Sequence, residues 1–162
     1  TLQGKVLKIR RTSIAPTSES RELLYRTGAN EFKSDYYNVF IVSPQDMISE
    51  AVLEWFSDSG LFSHAVPNSS AMRPDYALES SITSLYGDFS VPGQPKAVLK
   101  MQFFVLQDVL AHYKVVFCKE YDQEIPLDQP TPESLVAGLQ QGMQSILSKL
   151  ETDMAQALGA SR

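Results

Sequence analysis

The sequence predicts an α+β protein: a mostly antiparallel sheet with two main helices packed on one face. Three observations carry this. Two stretches repeat apolar residues at helical spacing, and each is opened by a hydroxyl residue followed by proline. Around them lie β-rich runs in which apolar and polar residues alternate. The order is strands, helix, strands, helix, the pattern of helices gathered on one side of a sheet. The 162 residues fit a single domain spanning 1–162, within the roughly 100–200 residues usual for one. A chain of this length buries about 68–70% of its unfolded surface without a metal or disulfide staple.

Val6, Leu7 and Ile9 lie in the run KVLKIRR between Gly4 and Pro16 and predict the first strand. Residues 21–26 and 32–42 are β-rich and flank Thr27, Gly28, Ala29 and Asn30, which predicts a hairpin. Ser43 then reads as a helix N-cap, with Pro44 first in the helix and Asp46 at its third position. Ile48, Ala51, Val52, Trp55 and Phe56 form its apolar stripe, with Trp55 expected in the core. Gly60 stops the helix.

Residues 61–66 predict a short strand, residues 67–74 a loop, and residues 76–89 a long strand with Leu78, Ile82 and Tyr86 on one face. Residues 97–106 alternate, with Ala97, Leu99, Met101, Phe103 and Val105 pointing one way. Residues 113–121 are the expected antiparallel partner, with Tyr113, Val115, Phe117 and Tyr121 sharing a face. The three long strands make a meander. Thr131 caps the last helix, followed by Pro132 and Glu133. Its stripe runs from Leu135 through Leu139, Met143, Ile146 and Leu150 to Met154 and Leu158. Gly138 and Gly142, four apart, predict a close approach to the sheet or to another helix.

Composition excludes several functions. The net charge is −5, so the chain as a whole lacks the basic footprint of a nucleic-acid binder. No run of 18 apolar residues predicts a transmembrane helix. Cys118 is the single cysteine, so an internal disulfide or a cysteine zinc cluster is ruled out, and its alternation with Val116 predicts a buried, inert thiol. His64 and His112 lie in different elements without metal-ligand spacing. There is no nucleophile elbow, phosphate-binding loop or dinucleotide fingerprint. No catalytic, cofactor-binding or metal residue is predicted.

Charge is distributed unevenly. Residues 1–42 carry seven basic and four acidic side chains, and the remaining 120 carry seven and fifteen. Lys5, Lys8, Arg10 and Arg11 crowd the first strand, whereas Asp46, Glu50, Glu54 and Asp58 recur every four residues on the first helix. Each step of four turns a helix by about 400°, so the four acids span about 120° of one face. Such like-charged pairs cost roughly 0.2–0.5 kcal/mol each. The ridge is either a solvated face or one that meets a basic surface. Phe32, Tyr36, Tyr37 and Phe40 add a cluster of aromatic rings. These features mark Asp46, Glu50, Glu54, Asp58, Tyr36, Tyr37, Phe40, Lys8 and Arg10 as candidate interface residues. They predict a homo-oligomer built from unlike surfaces, which forms a ring where the rotation closes. The competing outcome is that the basic strand and the acidic helix neutralise each other within one chain.

Residues 25–62, YRTGANEFKSDYYNVFIVSPQDMISEAVLEWFSDSGLF, together with LYGDF at 85–89 and AVLKMQFFVL at 97–106, resemble the ABC-type transport auxiliary lipoprotein family, the PqiC-like components. The resemblance runs from Val6 into the last helix. It implies a bacterial periplasmic protein, lipid-anchored to the outer membrane through a segment outside this chain. It implies as partner the MCE-domain protein of an ABC transport system that moves lipids or other hydrophobic compounds. It brings no catalytic motif and no cofactor. The lipid-bearing N-terminal cysteine of the family is not in this sequence, and the mid-strand Cys118 does not replace it. A reading from another class is a stand-alone carrier that holds a hydrophobic ligand in its own pocket, which needs an apolar cavity of roughly 300 Å³ or more.

Overall fold

The computed structural model describes residues 1–14, 22–40, 42–110 and 112–160. Arg21 and Ile41 of the expected hairpin, and Pro16, the expected bound of the first strand, lie outside them. The elements are β1 (Leu2–Ile9), β2 (Ser13–Ile14), β3 (Glu22–Gly28), β4 (Glu31–Val39), α1 (Pro44–Asp58), β5 (Phe62–Pro67), β6 (Tyr76–Asp88), β7 (Lys96–Val109), β8 (His112–Pro126) and α2 (Pro132–Ala157). Both helices begin as their sequences dictate. The Ser43 and Thr131 side chains accept from the backbone N–H groups of Asp46 and Ser134, and each helix has proline in its first turn. Gly60 follows α1 at φ +66°, where a side chain would be strained.

The eight strands of the described residues form one sheet around β6. Along one edge β6 pairs antiparallel with β7, and β7 with β8, which gives the expected meander. Along its other edge three segments succeed one another, all parallel to it: Leu7–Ile9 of β1 beside Tyr76–Leu78, then Ser13 and Ile14 beside Ser81 and Ile82, then Tyr25 and Arg26 beside Gly87 and Asp88. β1, β2 and β3 thus follow one another along a single edge of β6. β5 adds parallel to the outside of β1, and β4 antiparallel to the outside of β3. The sheet is therefore mixed, which corrects the expectation of a mostly antiparallel one. Local alternation defines a strand but not its distant neighbour, and α1 serves as the crossover that parallel strands β1 and β5 require.

Both helices pack on the same face. Ile48, Val52 and Phe56 of α1 and the stripe of α2 share one core with Leu78, Ile82, Leu99, Met101 and Phe103. Gly138 permits the close approach of α2: a Cβ there would lie 2.9 Å from the Cβ of Ala97 and 2.5 Å from Leu127 Cδ2.

Two β-bulges overturn three expectations about faces. Thr83 is an extra residue on β6, between Ile82 opposite Met101 and Ser84 opposite Lys100. It reverses the alternation, so Leu85 and Gly87 face the helices while Tyr86 turns to the other side against Phe32. Val116 does the same on β8, between Phe117 opposite Val105 and Val115 opposite Leu106. Phe117 and Tyr121 face the core, whereas Tyr113 and Val115 lie half exposed on the opposite face. Cys118 lies opposite Phe104 and is exposed, not buried. Trp55 is only partly buried: Ile48, Val52 and Phe56 take the core positions, and Trp55 sits at the rim.

Candidate functional site

A groove runs along α2 in three sections that share lining residues: two lie between α1 and α2, and the third between α2 and the end of β4. Ala51 of α1 and Gln140 and Met143 of α2 are short or flexible at the point where the helices face each other. The middle section, about 200 Å³, is almost wholly apolar and is floored by Leu85 and Leu99, with Phe40, Met47 and Val136 on its walls. One end opens between Glu54, Trp55, Asp58 and Glu151. There the Trp55 indole N–H donates to Glu151 Oε2 at 2.8 Å and ties the two helices together. The other end is bounded by Tyr37, Asn38, Val39 and Glu133. Gln140 lines all three sections, and among the described residues no lysine, arginine or histidine lines any of them. The groove is apolar in the middle and acidic at both ends.

The aromatic end is held by Asp35. Its carboxylate accepts from the Asn38 side chain at 2.8 Å, from the backbone N–H groups of Tyr37 and Asn38 at 3.1 Å each, and from the Tyr25 hydroxyl at 3.2 Å. The Asn38 side-chain bond first, and then the backbone donors working against burial, hold the Asp35 carboxyl below its usual value. Burial first, and then the neighbouring Asp35 charge, push the Tyr25 hydroxyl up to about 12. This clamp occupies backbone donors that an edge strand would otherwise leave open. It leaves the Tyr36 and Tyr37 side chains 78% and 96% exposed.

The structure gathers four of the nine candidate interface residues, Tyr37, Phe40, Glu54 and Asp58, into the groove. Tyr36 lies next to it on the hairpin, and Glu50 is exposed on α1. Asp46 is elsewhere, paired with Arg11 at 3.0 Å and bonded by the Ser43 hydroxyl at 2.7 Å. The basic strand finds its partners inside the chain. Lys5 pairs with Asp75 at 2.9 Å, Arg10 with Glu79, and Lys8 donates to the Ser70 carbonyl at 2.9 Å. Arg10 also stacks over Tyr113, with the guanidinium carbon 4.9 Å from the ring centre. The expected neutralisation of the basic strand by the acidic helix is seen only at Arg11 and Asp46, whereas Lys5 and Arg10 pair with acids outside that helix. Glu50, Glu54 and Asp58 pair with no cation among the described residues.

Sequence reasoning missed Met47, Val136, Gln140 and Glu151. Their one legible signal is Gln140, a polar residue directly after Leu139 of the α2 stripe; that α1 lies across from it is a tertiary fact. Among the described residues no three of histidine, cysteine, aspartate and glutamate could hold a metal ion, and no helix is long and apolar enough to cross a membrane.

The sequence model of one protein family, described as the ABC-type transport auxiliary lipoprotein component, matches residues 1–151. No curated protein matches the chain. Among solved structures, XCC0632 of Xanthomonas campestris is similar with a TM-score of 0.83 at 17% identity, over 96% of this chain and 86% of that one. CT253 of Chlamydia trachomatis is similar with a TM-score of 0.57 at 13% identity, over 91% and 95%. A PelC dodecamer of Paraburkholderia phytofirmans is similar with a TM-score of 0.55 at 9% identity, over 97% and 89%. At these identities the likeness is one of fold.

Proposed function

The chain belongs to the family of ABC-type transport auxiliary lipoprotein components, and we propose that it is a non-catalytic periplasmic component of an ABC/MCE-type envelope transport system. In this reading the system moves lipids or other hydrophobic compounds, and the protein is held at the outer membrane by a lipid anchor. The observation that carries the reading is the family match over residues 1–151. The interhelical groove fits it as a docking surface. Its apolar middle supplies contact area, and its acidic ends set the orientation of a partner segment bearing positive charge. The alternative of a stand-alone carrier is less well supported, because the apolar section by itself is about 200 Å³, below the roughly 300 Å³ at which ligand pockets begin, and the wider sections on either side are open to solvent and carry acidic residues.

The proposal includes self-assembly into a homo-oligomer, closing as a ring. PelC of P. phytofirmans, which shares the fold, is a dodecamer. Glu50, Glu54 and Asp58, unpaired among the described residues, and the exposed Tyr36 and Tyr37 are the surfaces this assembly would use, in place of Lys8 and Arg10, which are engaged within the chain. The test is purification of the full-length protein from envelopes, with native mass measurement and lipid extraction. The expected result is an oligomer that co-purifies with an MCE-domain protein and carries no stoichiometric lipid. A monomer with one tightly held lipid and no transport partner would overturn the reading in favour of the carrier.

A further inference from the structure

Three hairpins join neighbouring strands, and two use ordinary turn chemistry. β3 and β4 turn through Ala29 and Asn30, and the turn between β6 and β7 has Gly93 at φ +76°. The turn between β7 and β8 instead places Leu110 at φ +50°. A leucine there bears the steric strain of the left-handed region, which glycine and asparagine tolerate. Packing among the described residues does not offset that strain, because Leu110 is 90% exposed. Val109 beside it is also exposed. A strained residue with an outward apolar side chain points to a role outside the fold.

The position of this tip says what it meets. Val6, Asp75 and Asp108 form a row across the sheet: Asp75 N–H donates to the Val6 carbonyl at 3.0 Å, and Asp108 N–H to the Asp75 carbonyl at 2.9 Å. β1 runs parallel to β6 and β7 antiparallel to it. The first residues of the chain and the tip of the β7–β8 hairpin therefore project past this row in the same direction. The other two hairpin tips lie at the opposite end, beyond Asp88. Both acids of the row are paired, Asp75 with Lys5 at 2.9 Å and Asp108 with Arg73 at 3.2 Å, and Arg73 is 77% exposed. Tyr113 stands half exposed on the same hairpin. An apolar tip flanked by an exposed guanidinium and a tyrosine is the composition of a membrane-interface contact.

We propose that Val109 and Leu110 insert into the headgroup region of the bilayer toward which the N-terminal end of the protein is turned. This rests on the lipoprotein reading of the family: a lipoprotein is tethered on its N-terminal side, which is the end where this tip projects. Two side chains bury too few methylenes to hold a protein on a membrane alone. A tether raises the local concentration of the tip, so a weak contact becomes occupied and fixes the tilt of the protein on the bilayer.

The test uses a Cys118→Ser background with one new thiol, Leu110→Cys at the tip or Val91→Cys at the opposite end, labelled with a polarity-sensitive NBD fluorophore. Each protein is tethered through an N-terminal histidine tag to phosphatidylethanolamine–phosphatidylglycerol vesicles containing a nickel-chelating lipid, and matched thermal melts confirm folding. The expected result is a blue shift and quenching by nitroxide-labelled lipids at position 110, with neither at 91. An aqueous spectrum at 110 on the tethered protein, or equal shifts at both positions, overturns the proposal. So does a shift at 110 that requires an added envelope protein, since it assigns the tip to a protein partner. Because the tether is artificial, this outcome is separate from failure of the lipoprotein reading, which would appear as absence of the native protein from membrane fractions.

Discussion

Replacing Gly138 and Gly142 by alanine should move stability in opposite directions, although the two residues lie one turn apart on the same face of α2. Each substitution gains about 1 kcal/mol of helix propensity. At Gly142 the new methyl meets Gln123 Cβ and Ile125 Cγ1 at 3.6 Å and Leu99 Cβ at 3.8 Å, ordinary van der Waals contacts. Gly142→Ala should therefore stabilise by about 0.5–1 kcal/mol. At Gly138 the methyl falls 2.5 Å from Leu127 Cδ2 and 2.9 Å from Ala97 Cβ. The leucine terminus can rotate away. The Ala97 Cβ is fixed to the backbone of β7, so α2 must lift or the sheet must give. Overpacking of this kind costs typically 1–3 kcal/mol, which cancels the propensity gain at the low end and outweighs it above that. Gly138→Ala should destabilise by up to about 2 kcal/mol. For a chain of this size, 1 kcal/mol corresponds to about 2–4 °C in Tm. Thermal and urea unfolding monitored by circular dichroism reads both variants. Equal stabilisation of the two would refute the claimed contact between α2 and β7.

Phe56→Ala, at a side chain 1% exposed, should cost about 3–5 kcal/mol, whereas Trp55→Phe, which loses the bond to Glu151, should cost about 1 kcal/mol; urea midpoints separate the two. Cys118 should react fully with Ellman's reagent in the folded protein, one thiol per chain, because it is exposed; slow reaction without denaturant would restore the buried thiol. Asp153 is held below the usual carboxylate value by hydrogen bonds from Lys119 first and then Tyr121. A depressed folded value gives stability that is present above the unfolded pKa of about 3.9 and is lost as pH falls through the folded value. Asp153→Asn should lower stability by about 1 kcal/mol at pH 7 and narrow the gap from the parent below about pH 4; unfolding curves from pH 7 down to 3 show whether that gap closes.

Elements set by short-range chemistry are legible in the sequence. Ser43-Pro44 and Thr131-Pro132 open helices where expected, and residues 97–105 alternate into the core without interruption. The features that are not legible depend on distant residues. Nothing in the sequence of β1, β2, β3 or β5 states that three of them line β6 in parallel and the fourth lines β1. Single inserted residues also defeat a period-two reading. Thr83 and Val116 look like ordinary strand residues, yet each shifts the alternation of its strand by one. Tyr86, Tyr113 and Val115 therefore stand on the face opposite to the expected one. The candidate site is half legible. Glu54 and Asp58 stand out as charges and Tyr37 and Phe40 as rings, but their meeting along one groove depends on α2 lying beside α1. Lys8 and Arg10 look unpartnered in the sequence because Ser70 and Glu79 are more than sixty residues away.

A docking surface of a transport component in the groove between α1 and α2 can be probed in the native envelope. The most direct measurement is photo-crosslinking in intact envelopes, from a photoreactive residue at Val136 in the groove and from a control at Glu120 on the opposite face of β8, with crosslinked proteins identified by mass spectrometry. The expected adducts form from position 136 with a component of an ABC transport system or with a second copy of this chain, are lost when Met47→Glu places a charge in the apolar section, and do not form from 120. Adducts that form from 120 but not from 136 would contradict docking in the groove.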